Sequence, residues 1–185
     1  MAQLVRGGRL ATIDIRELRA SPDVNTALSD ILIETVANGG SVSFMHPLAR
    51  PDADAFWQSA LLAAADGKRI ILGAWDGPRL AGTVTLLLDL PPNQPHRAEI
   101  AKLMVRVSHR GRGIAAALMK AAEAAAIARG RALLVLDTAS IGGAAGMYEK
   151  LGYTLTGEIP DYALLPHGGL TGTLFYWKRI GAHPS

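Results

Sequence analysis

The segment 110–115, with the sequence RGRGIA, combines two glycines and two arginines between a predicted strand and a predicted helix. At such a junction the first helical amides have no intrahelical acceptor, and the helix dipole adds a fractional positive charge. Glycines let the backbone approach a phosphate closely, and Arg110 and Arg112 supply fixed positive charge. The segment therefore favours a phosphate ligand, but a glycine-rich turn that only caps a helix has a similar sequence.

A dinucleotide site is an alternative interpretation of the same glycines. Residues 111–116 also satisfy the pattern G-x-G-x-x-A, and Asp137 follows at about the distance expected for a ribose contact. Two features oppose this interpretation. The polar residues Ser108, His109 and Arg110 separate the strand from the glycines, and in a chain of 185 residues too little sequence follows Asp137 for a second nucleotide-binding half.

The elements that must position this segment follow from periodicity and from turn residues. The first half of the chain predicts a strand over 10–17, a helix from Ser21 to the glycines at 39 and 40, a second helix from Pro51 to near Gly67, and a hairpin of strands 69–75 and 80–88. The second half predicts a fourth strand over 97–107, a helix over 116–129, a short buried strand over 132–136 that ends at Asp137, a helix over 144–150, and strands 153–159 and 171–178 around a loop at 160–169.

Strict alternation along the fourth strand assigns its side chains to two faces. One face is predicted to carry Glu99, Ala101, Leu103 and Val105, and the other Ile100, Lys102 and Met104.

Composition limits the classes of protein to consider. With 49% hydrophobic and 19% charged residues, the 185 residues are expected to form a single globular domain over 1–185. The net charge of +3 without a run of like charges does not indicate nucleic-acid binding. The chain has no cysteine and its five histidines are scattered, so no metal site is expected. No apolar run reaches membrane-spanning length, and a cytoplasmic protein is expected.

Two motifs in order give a specific resemblance. Segment 110–115 matches R-x-x-G-x-A, and segment 144–153, with the sequence AAGMYEKLGY, is similar to A-x-x-x-Y followed by L-G-F/Y. Both resemble the GCN5-related N-acetyltransferases (GNAT), whose loop binds the pyrophosphate of coenzyme A. The resemblance implies a mixed α/β fold with a mostly antiparallel, twisted sheet of about seven strands and about four helices. It also implies acetyl-CoA as co-substrate.

The resemblance further implies which residues contact the cofactor. They are Met104, Val105, Val107, Arg110, Gly111, Arg112, Gly113, Ile114, Ala115, Ala144 and Tyr148. Backbone amides around Met104 and Val105 are expected to donate to the thioester oxygen, where the fourth and fifth strands part. The chain departs from the family at Val107, where a proline is common, and at Ile141, where many members have asparagine.

Transfer to an amine requires a base, because an amine with a pKa of roughly 10 is mostly protonated at neutral pH. The resemblance implies that Glu99 and Asp137 serve this deprotonation. The alternatives are that Asp137 caps the following segment and that Glu99 is a solvated strand residue. Tyr148 is the candidate acid for the leaving thiolate, and its alternative is a core aromatic on a short helix.

A narrower resemblance covers most of the chain. Segments 34–36, 40–45, 98–105, 136–138, 159–162 and 173–176 are similar to the tabtoxin-resistance acetyltransferases. It implies a small-molecule amine acceptor, such as an amino acid or a β-lactam toxin, bound near Phe44 and Tyr162, and it suggests antibiotic or toxin resistance. His167 departs from an aspartate in those relatives. A monomer or homodimer is expected, and a non-catalytic module that only binds acyl-CoA is the remaining alternative.

Overall fold

The computed structural model describes residues 13–142 and 144–181. Its elements in chain order are β1 (Asp14–Glu17), α1 (Pro22–Ala37), α2 (Arg50–Ala65), β2 (Arg69–Asp76), β3 (Arg79–Leu87), β4 (Arg97–Val105), a 3-10 turn (Val107–His109), α3 (Ile114–Ala128), β5 (Leu133–Ala139), α4 (Ala145–Lys150), β6 (Thr154–Leu164) and β7 (Leu170–Arg179).

The strands form one seven-stranded sheet in the order β1-β2-β3-β4-β5-β7-β6. Only β4 and β5 are parallel, because α3 carries the chain across the sheet between them, and every other neighbouring pair is antiparallel. The predicted class, a mixed α/β fold with a mostly antiparallel sheet of seven strands and four helices, is confirmed.

The helices cover the sheet on both faces. On one face α3 buries Leu118, Met119 and Ala122 against β2 to β5, and its small alanines let the helix lie close to the strands. On the other face α1 and α2 pack together around the fully buried Trp57 and Leu28. The sheet therefore lies between two helical layers, and each of its faces contributes side chains to a separate hydrophobic core.

Two predicted strand ends differ from the structure. Strand β5 continues to Ala139, so Asp137 lies inside a strand that pairs with β7 and does not mark its end. Strand β6 continues to Leu164 and includes part of the predicted loop at 160–169. An edge strand tolerates Pro160 because the missing N–H lies within a bulge, where the register shifts between Ile159 and Ala163. The predicted first strand begins at residue 10, and residues 10–12 lie outside the described residues.

A β-bulge at Lys102 overturns the predicted alternation of β4. The register against β3 shifts between Thr83 and Thr85, and Lys102 has a positive φ of 52°. The extra residue reverses the faces after it: Ile100 and Leu103 pack against the core under α3, whereas Met104 packs against α1 and α2. Glu99 and Ala101 therefore do not share a face with Leu103 and Val105.

A partly buried ion pair fastens α1 to the end of β4. The Glu34 carboxylate accepts from the Arg106 guanidinium at 2.9 Å and from the Val107 N–H at 2.7 Å, and the Arg106 Nε donates to the Leu80 carbonyl at 2.8 Å. These bonds fix the point at which the chain leaves β4 and enters the segment 107–115.

Glu34→Ala is expected to lower the free energy of unfolding by about 2 kcal/mol, because it leaves a charged donor and an amide without their acceptor. Urea denaturation measures the change. Glu17→Ala, at an exposed carboxylate on the short strand β1, is the matched control and should have little effect. Equal losses in the two variants would show that the Glu34 bonds contribute nothing specific.

Candidate active site

Strands β4 and β5 pair only briefly and then separate. Their parallel register runs from Arg97 opposite Leu133 to Ile100 opposite Leu136. Beyond this point β4 stays with β3 and β5 stays with β7, so a gap opens between residues 101–105 and 137–139. The predicted parting of the two strands is confirmed, and it leaves backbone groups on both sides without a strand partner.

Three cavities lie along this gap. The strand cavity, of about 260 Å³, is lined by residues that include Lys102, Asp137, Tyr148, Tyr162 and Thr173. The middle cavity, of about 450 Å³, is lined by residues that include Met104, Val105, Thr138, Ala144 and Tyr148. The loop cavity, of about 270 Å³, is lined by residues that include Arg110, Gly111, Gly113, Ile114 and Ala115.

The cavities adjoin one another and share lining residues. Leu103, Ala139 and Tyr148 line both the strand cavity and the middle cavity. Arg110 and Ala115 line both the middle cavity and the loop cavity. We call this row of adjoining cavities, from the glycine-rich segment to Asp137, the groove, and Tyr148 lines the junction nearer Asp137.

The glycine-rich segment has the geometry of an anion site. Gly111 and Gly113 have φ of 74° and 77°, the left-handed region in which a side chain would be strained. The first helical bond joins the Ala117 N–H to the Gly113 carbonyl at 3.0 Å, and no side chain caps α3. The amides of residues 114–116 consequently have no intrahelical acceptor, and they can donate to a phosphate.

The two arginines of the segment differ in their surroundings. Arg110 is exposed, lines the loop and middle cavities, and makes no ion pair with the described part of the chain. Arg112 donates to the Asp76 carboxylate at 2.9 Å, and the same Oδ2 lies 3.3 Å from His109 Nε2. Arg112 lines none of the three cavities. Arg110 is therefore the arginine available to a ligand in the groove.

Tyr148 combines burial with an uncommitted hydroxyl. It is only 6% exposed, and its ring contacts those of Tyr153 and Tyr176 at centroid distances of 6.0 and 5.7 Å. Burial, with smaller contributions from Asp137 and Tyr176, raises the pKa of Tyr148 to about 12. Within residues 13–142 and 144–181 the hydroxyl has no hydrogen-bond partner. It is therefore a protonated donor at neutral pH, on a residue that lines the groove.

The two predicted carboxylates occupy different positions. Asp137 lines the strand cavity together with Tyr148. Glu99 lines a neighbouring cavity of about 390 Å³, which Asp137 also borders, and it pairs with Arg97 at 3.4 Å. Glu99 of β4 lies opposite Val135 of β5, and Asp137 comes two residues after Val135 on the same strand. Both carboxylates are therefore on one face of the sheet. The structure thus brings Asp137, and not Glu99, into the same cavity as Tyr148.

Of the other residues predicted to contact the acceptor or the cofactor, some line the cavities and some do not. Tyr162 is 54% exposed, lines the strand cavity and packs edge-on against Phe175. Phe44 lines none of the three cavities and packs edge-on against Phe56, with 5.1 Å between the ring centroids. Val107 also lies outside all three, and its N–H donates to the Glu34 carboxylate.

Sequence reasoning missed Lys102 and Ser43. Both line the strand cavity, and the Lys102 ammonium donates to the Ser43 hydroxyl at 3.1 Å. The available signal was a lysine inside the otherwise apolar run 100–105. Alternation placed it on the face of Ile100 and Met104, because a single sequence does not reveal the bulge.

His167 holds two loops together beside the site. Its ring lies 4.5 Å from that of His46, and its Nε2 is 3.1 Å from the Ala37 carbonyl. The His46 N–H donates to the Pro166 carbonyl at 2.8 Å. The turn between β6 and β7 is therefore fixed to the loop that follows α1.

Among the described residues, no cluster of three or more histidine, cysteine, aspartate or glutamate side chains could hold a metal ion. None of the helices in these residues combines the length and apolar character needed to cross a membrane.

Comparison with known proteins assigns the family. Residues 34–153 match the model of the Acetyltransferase (GNAT) family. N-acetyltransferase 8B of Homo sapiens is 38% identical over 82 residues, which cover 43% of this chain and only 36% of that protein. The chain therefore spans about a third of the length of this relative.

Solved structures share the whole fold. An N-acetyltransferase from Staphylococcus aureus Mu50 superposes with a TM-score of 0.76 at 18% identity, covering 91% of this chain and 99% of that chain. A second structure is that of yncA from Salmonella typhimurium, with its cofactor acetyl-CoA. It superposes with a TM-score of 0.74 at 17% identity, covering 94% of this chain and 96% of that chain. With the family match, these findings show that the chain belongs to the GNAT acetyltransferases.

Proposed function

We propose that this chain is an N-acetyltransferase that moves an acetyl group from acetyl-CoA to the primary amine of a small molecule. The observation that carries the proposal is the groove of adjoining cavities, which has an anion site at one end and a carboxylate at the other, with Tyr148 between them. A donor with a diphosphate at one end and a thioester at the other fits such a groove.

The donor would lie along the gap between β4 and β5. The amides of residues 114–116 and the Arg110 guanidinium would hold the diphosphate, and the middle cavity would take the pantetheine arm. The Arg106 N–H donates to the Ala81 carbonyl of β3, so the Val105 N–H, one residue earlier, points to the opposite edge of β4. There it can donate to the thioester oxygen as negative charge develops.

The residues near Tyr148 supply the proton transfers. Bound acetyl-CoA provides an activated acyl group and a thiolate leaving group. Asp137 would take the proton from the acceptor's ammonium, and Glu99, on the same face, would support this role through the cavity that they share. Tyr148, with its pKa raised to about 12, would hold the proton that the leaving sulfur receives.

The acceptor would bind in the strand cavity, beside Tyr162. A volume of about 260 Å³ suits a small molecule. The narrower sequence resemblance suggests an amino acid or a β-lactam amino acid, and hence a role in antibiotic or toxin resistance. We propose no nucleic-acid partner, and a cytoplasmic monomer or homodimer as the working form.

The two alternatives are less well supported. A dinucleotide would need Asp137 near the diphosphate site, but Asp137 lines neither the middle cavity nor the loop cavity. A non-catalytic binding module would not need an uncommitted hydroxyl and a carboxylate in one cavity.

The proposal is tested by thiol release from acetyl-CoA with a panel of amines, including amino acids, a β-lactam amino acid and peptides. We expect amine-dependent release and an acetylated product by mass spectrometry, and a calorimetric titration should show binding of acetyl-CoA but not of NAD. Release that no amine stimulates would contradict the proposal, and preferential binding of NAD would support the dinucleotide alternative.

Arg110→Ala is expected to weaken coenzyme A binding about 10- to 100-fold, because the variant loses charge-assisted bonds to the diphosphate. Arg112→Ala is the matched control: Arg112 is paired with Asp76 and lines none of the cavities, so its loss should change the Kd less than about threefold. Isothermal calorimetry measures both. A larger increase in Kd for Arg112→Ala than for Arg110→Ala would indicate that the diphosphate does not bind at Arg110.

A further inference from the structure

Lys102 occupies an unusual backbone conformation in the wall of the strand cavity. Its φ of 52° lies in the left-handed region, where a residue with a side chain is disfavoured. The bulge places Lys102 beside the gap, with Ser43 of the loop after α1 as its neighbour. Such strain persists where the surrounding structure holds it, and it often marks a functional position.

The Lys102 ammonium is desolvated without a direct counter-ion. One of its three donors reaches the Ser43 hydroxyl at 3.1 Å, and the Phe56 ring centroid lies 5.8 Å away. Within the described ranges 13–142 and 144–181 it forms no ion pair. Burial lowers the pKa of Lys102, the charge of Arg69 adds to this effect, and the charges of Asp137 and Glu99 oppose it. The ammonium thus retains donors for a ligand, and an anion would stabilise its charge.

The strand cavity carries opposite charges on its two flanking strands. Lys102 comes from β4 and Asp137 from β5, and both line the cavity. A carboxylate in the proposed base position attracts the acceptor's ammonium, whereas a lysine in the same small space repels a second cation. An acceptor with one amine and one carboxylate would match both charges.

We propose that Lys102 determines acceptor specificity: its ammonium, aided by the Ser43 hydroxyl, binds a carboxylate of the acceptor while the amine lies at Asp137. The inference rests on the proposed function and adds to it a requirement for a carboxylate. Acceptors that carry only amines, such as polyamines, are poor substrates on this account.

The test compares acceptors that differ only in the carboxylate. Lysine and ornithine are assayed against lysinamide and ornithinamide, whose side-chain amines are unchanged, and thiol release gives kcat and KM for each. The wild-type protein should prefer each acid over its amide about 10- to 100-fold in kcat/KM, the effect of one charge-assisted pair. Lys102→Met should remove that preference by raising KM for the acids, with the amides unaffected.

Three controls make the result specific. Lys120→Met, at an exposed lysine of α3, should behave as the wild type. Lys102→Arg keeps the charge and should retain part of the preference. An unchanged calorimetric Kd for coenzyme A shows that each variant is folded. If Lys102→Met does not fold, Ser43→Ala replaces it in the test. The ratio of kcat/KM for the acid to kcat/KM for the amide is then compared between the wild type and Ser43→Ala, and a smaller ratio is expected in Ser43→Ala.

The possible failures are distinguishable. If no amine in the panel stimulates thiol release, the proposed function is wrong and this inference fails with it. If amines are acetylated but acids and amides perform equally, only the inference is overturned. The same conclusion follows if Lys102→Met impairs both kinds of acceptor to the same extent, because the lysine then has a structural role.

Discussion

Tyr148→Phe is expected to lower kcat by about 10²- to 10⁴-fold, the usual contribution of a positioned general acid. The affinity for coenzyme A should change less than about threefold, because the ring keeps its packing against Tyr153 and Tyr176 and only an uncommitted hydroxyl is lost. Steady-state kinetics and calorimetry, run on the same preparation, separate the two effects.

The neighbouring Tyr153 provides the matched control. It is buried beside Tyr148 but lines none of the three cavities of the groove, so Tyr153→Phe should leave kcat nearly unchanged. The pH profile gives an independent check. Since the pKa of Tyr148 is raised to about 12, its donor form is present at every lower pH, and its ionisation should not reduce the rate at pH 10. Unaltered turnover in Tyr148→Phe would remove the hydroxyl from the mechanism.

Asp137→Asn is expected to lower kcat/KM by about 10²- to 10⁴-fold, because the amide side chain cannot accept the acceptor's proton. Glu99→Gln should have the smaller effect, since Glu99 lies outside the strand cavity and is paired with Arg97. The two variants have the same chemical change at two positions on one sheet face. Thiol-release kinetics at saturating acetyl-CoA compare them, and a reversed order would identify Glu99 as the principal base.

Much of the fold could be predicted because its signals are local. Ser21 with Pro22 marks the start of α1, where the Ser21 hydroxyl accepts from the Val24 N–H at 3.2 Å. The predicted start of the helix after the glycine-rich segment, at residue 116, lies two residues after the observed start of α3 at Ile114. Caps, turns and periodicity act over a few residues, so a single sequence contains them. The glycine-rich segment 110–115 could be singled out for the same reason, because its glycines and arginines are adjacent in the chain.

The details of the site depend on contacts between distant segments. Arg112 is paired with Asp76, 36 residues earlier in the chain, and no local pattern indicates that this arginine is already committed. The bulge at Lys102 inserts one residue into an apolar run, where a reversal of faces leaves no mark in the periodicity. The separation of Asp137 from Glu99 likewise follows from the register of β4 and β5, which only the assembled sheet defines.

The central proposal is that one groove holds the donor from diphosphate to thiol. A crystal structure of the protein with coenzyme A measures this directly. The diphosphate is expected within hydrogen-bond distance of the amides of residues 114–116, with the pantetheine arm between β4 and β5 and the sulfur beside the Tyr148 hydroxyl. A diphosphate bound away from these amides, or a sulfur remote from Tyr148, would contradict the account.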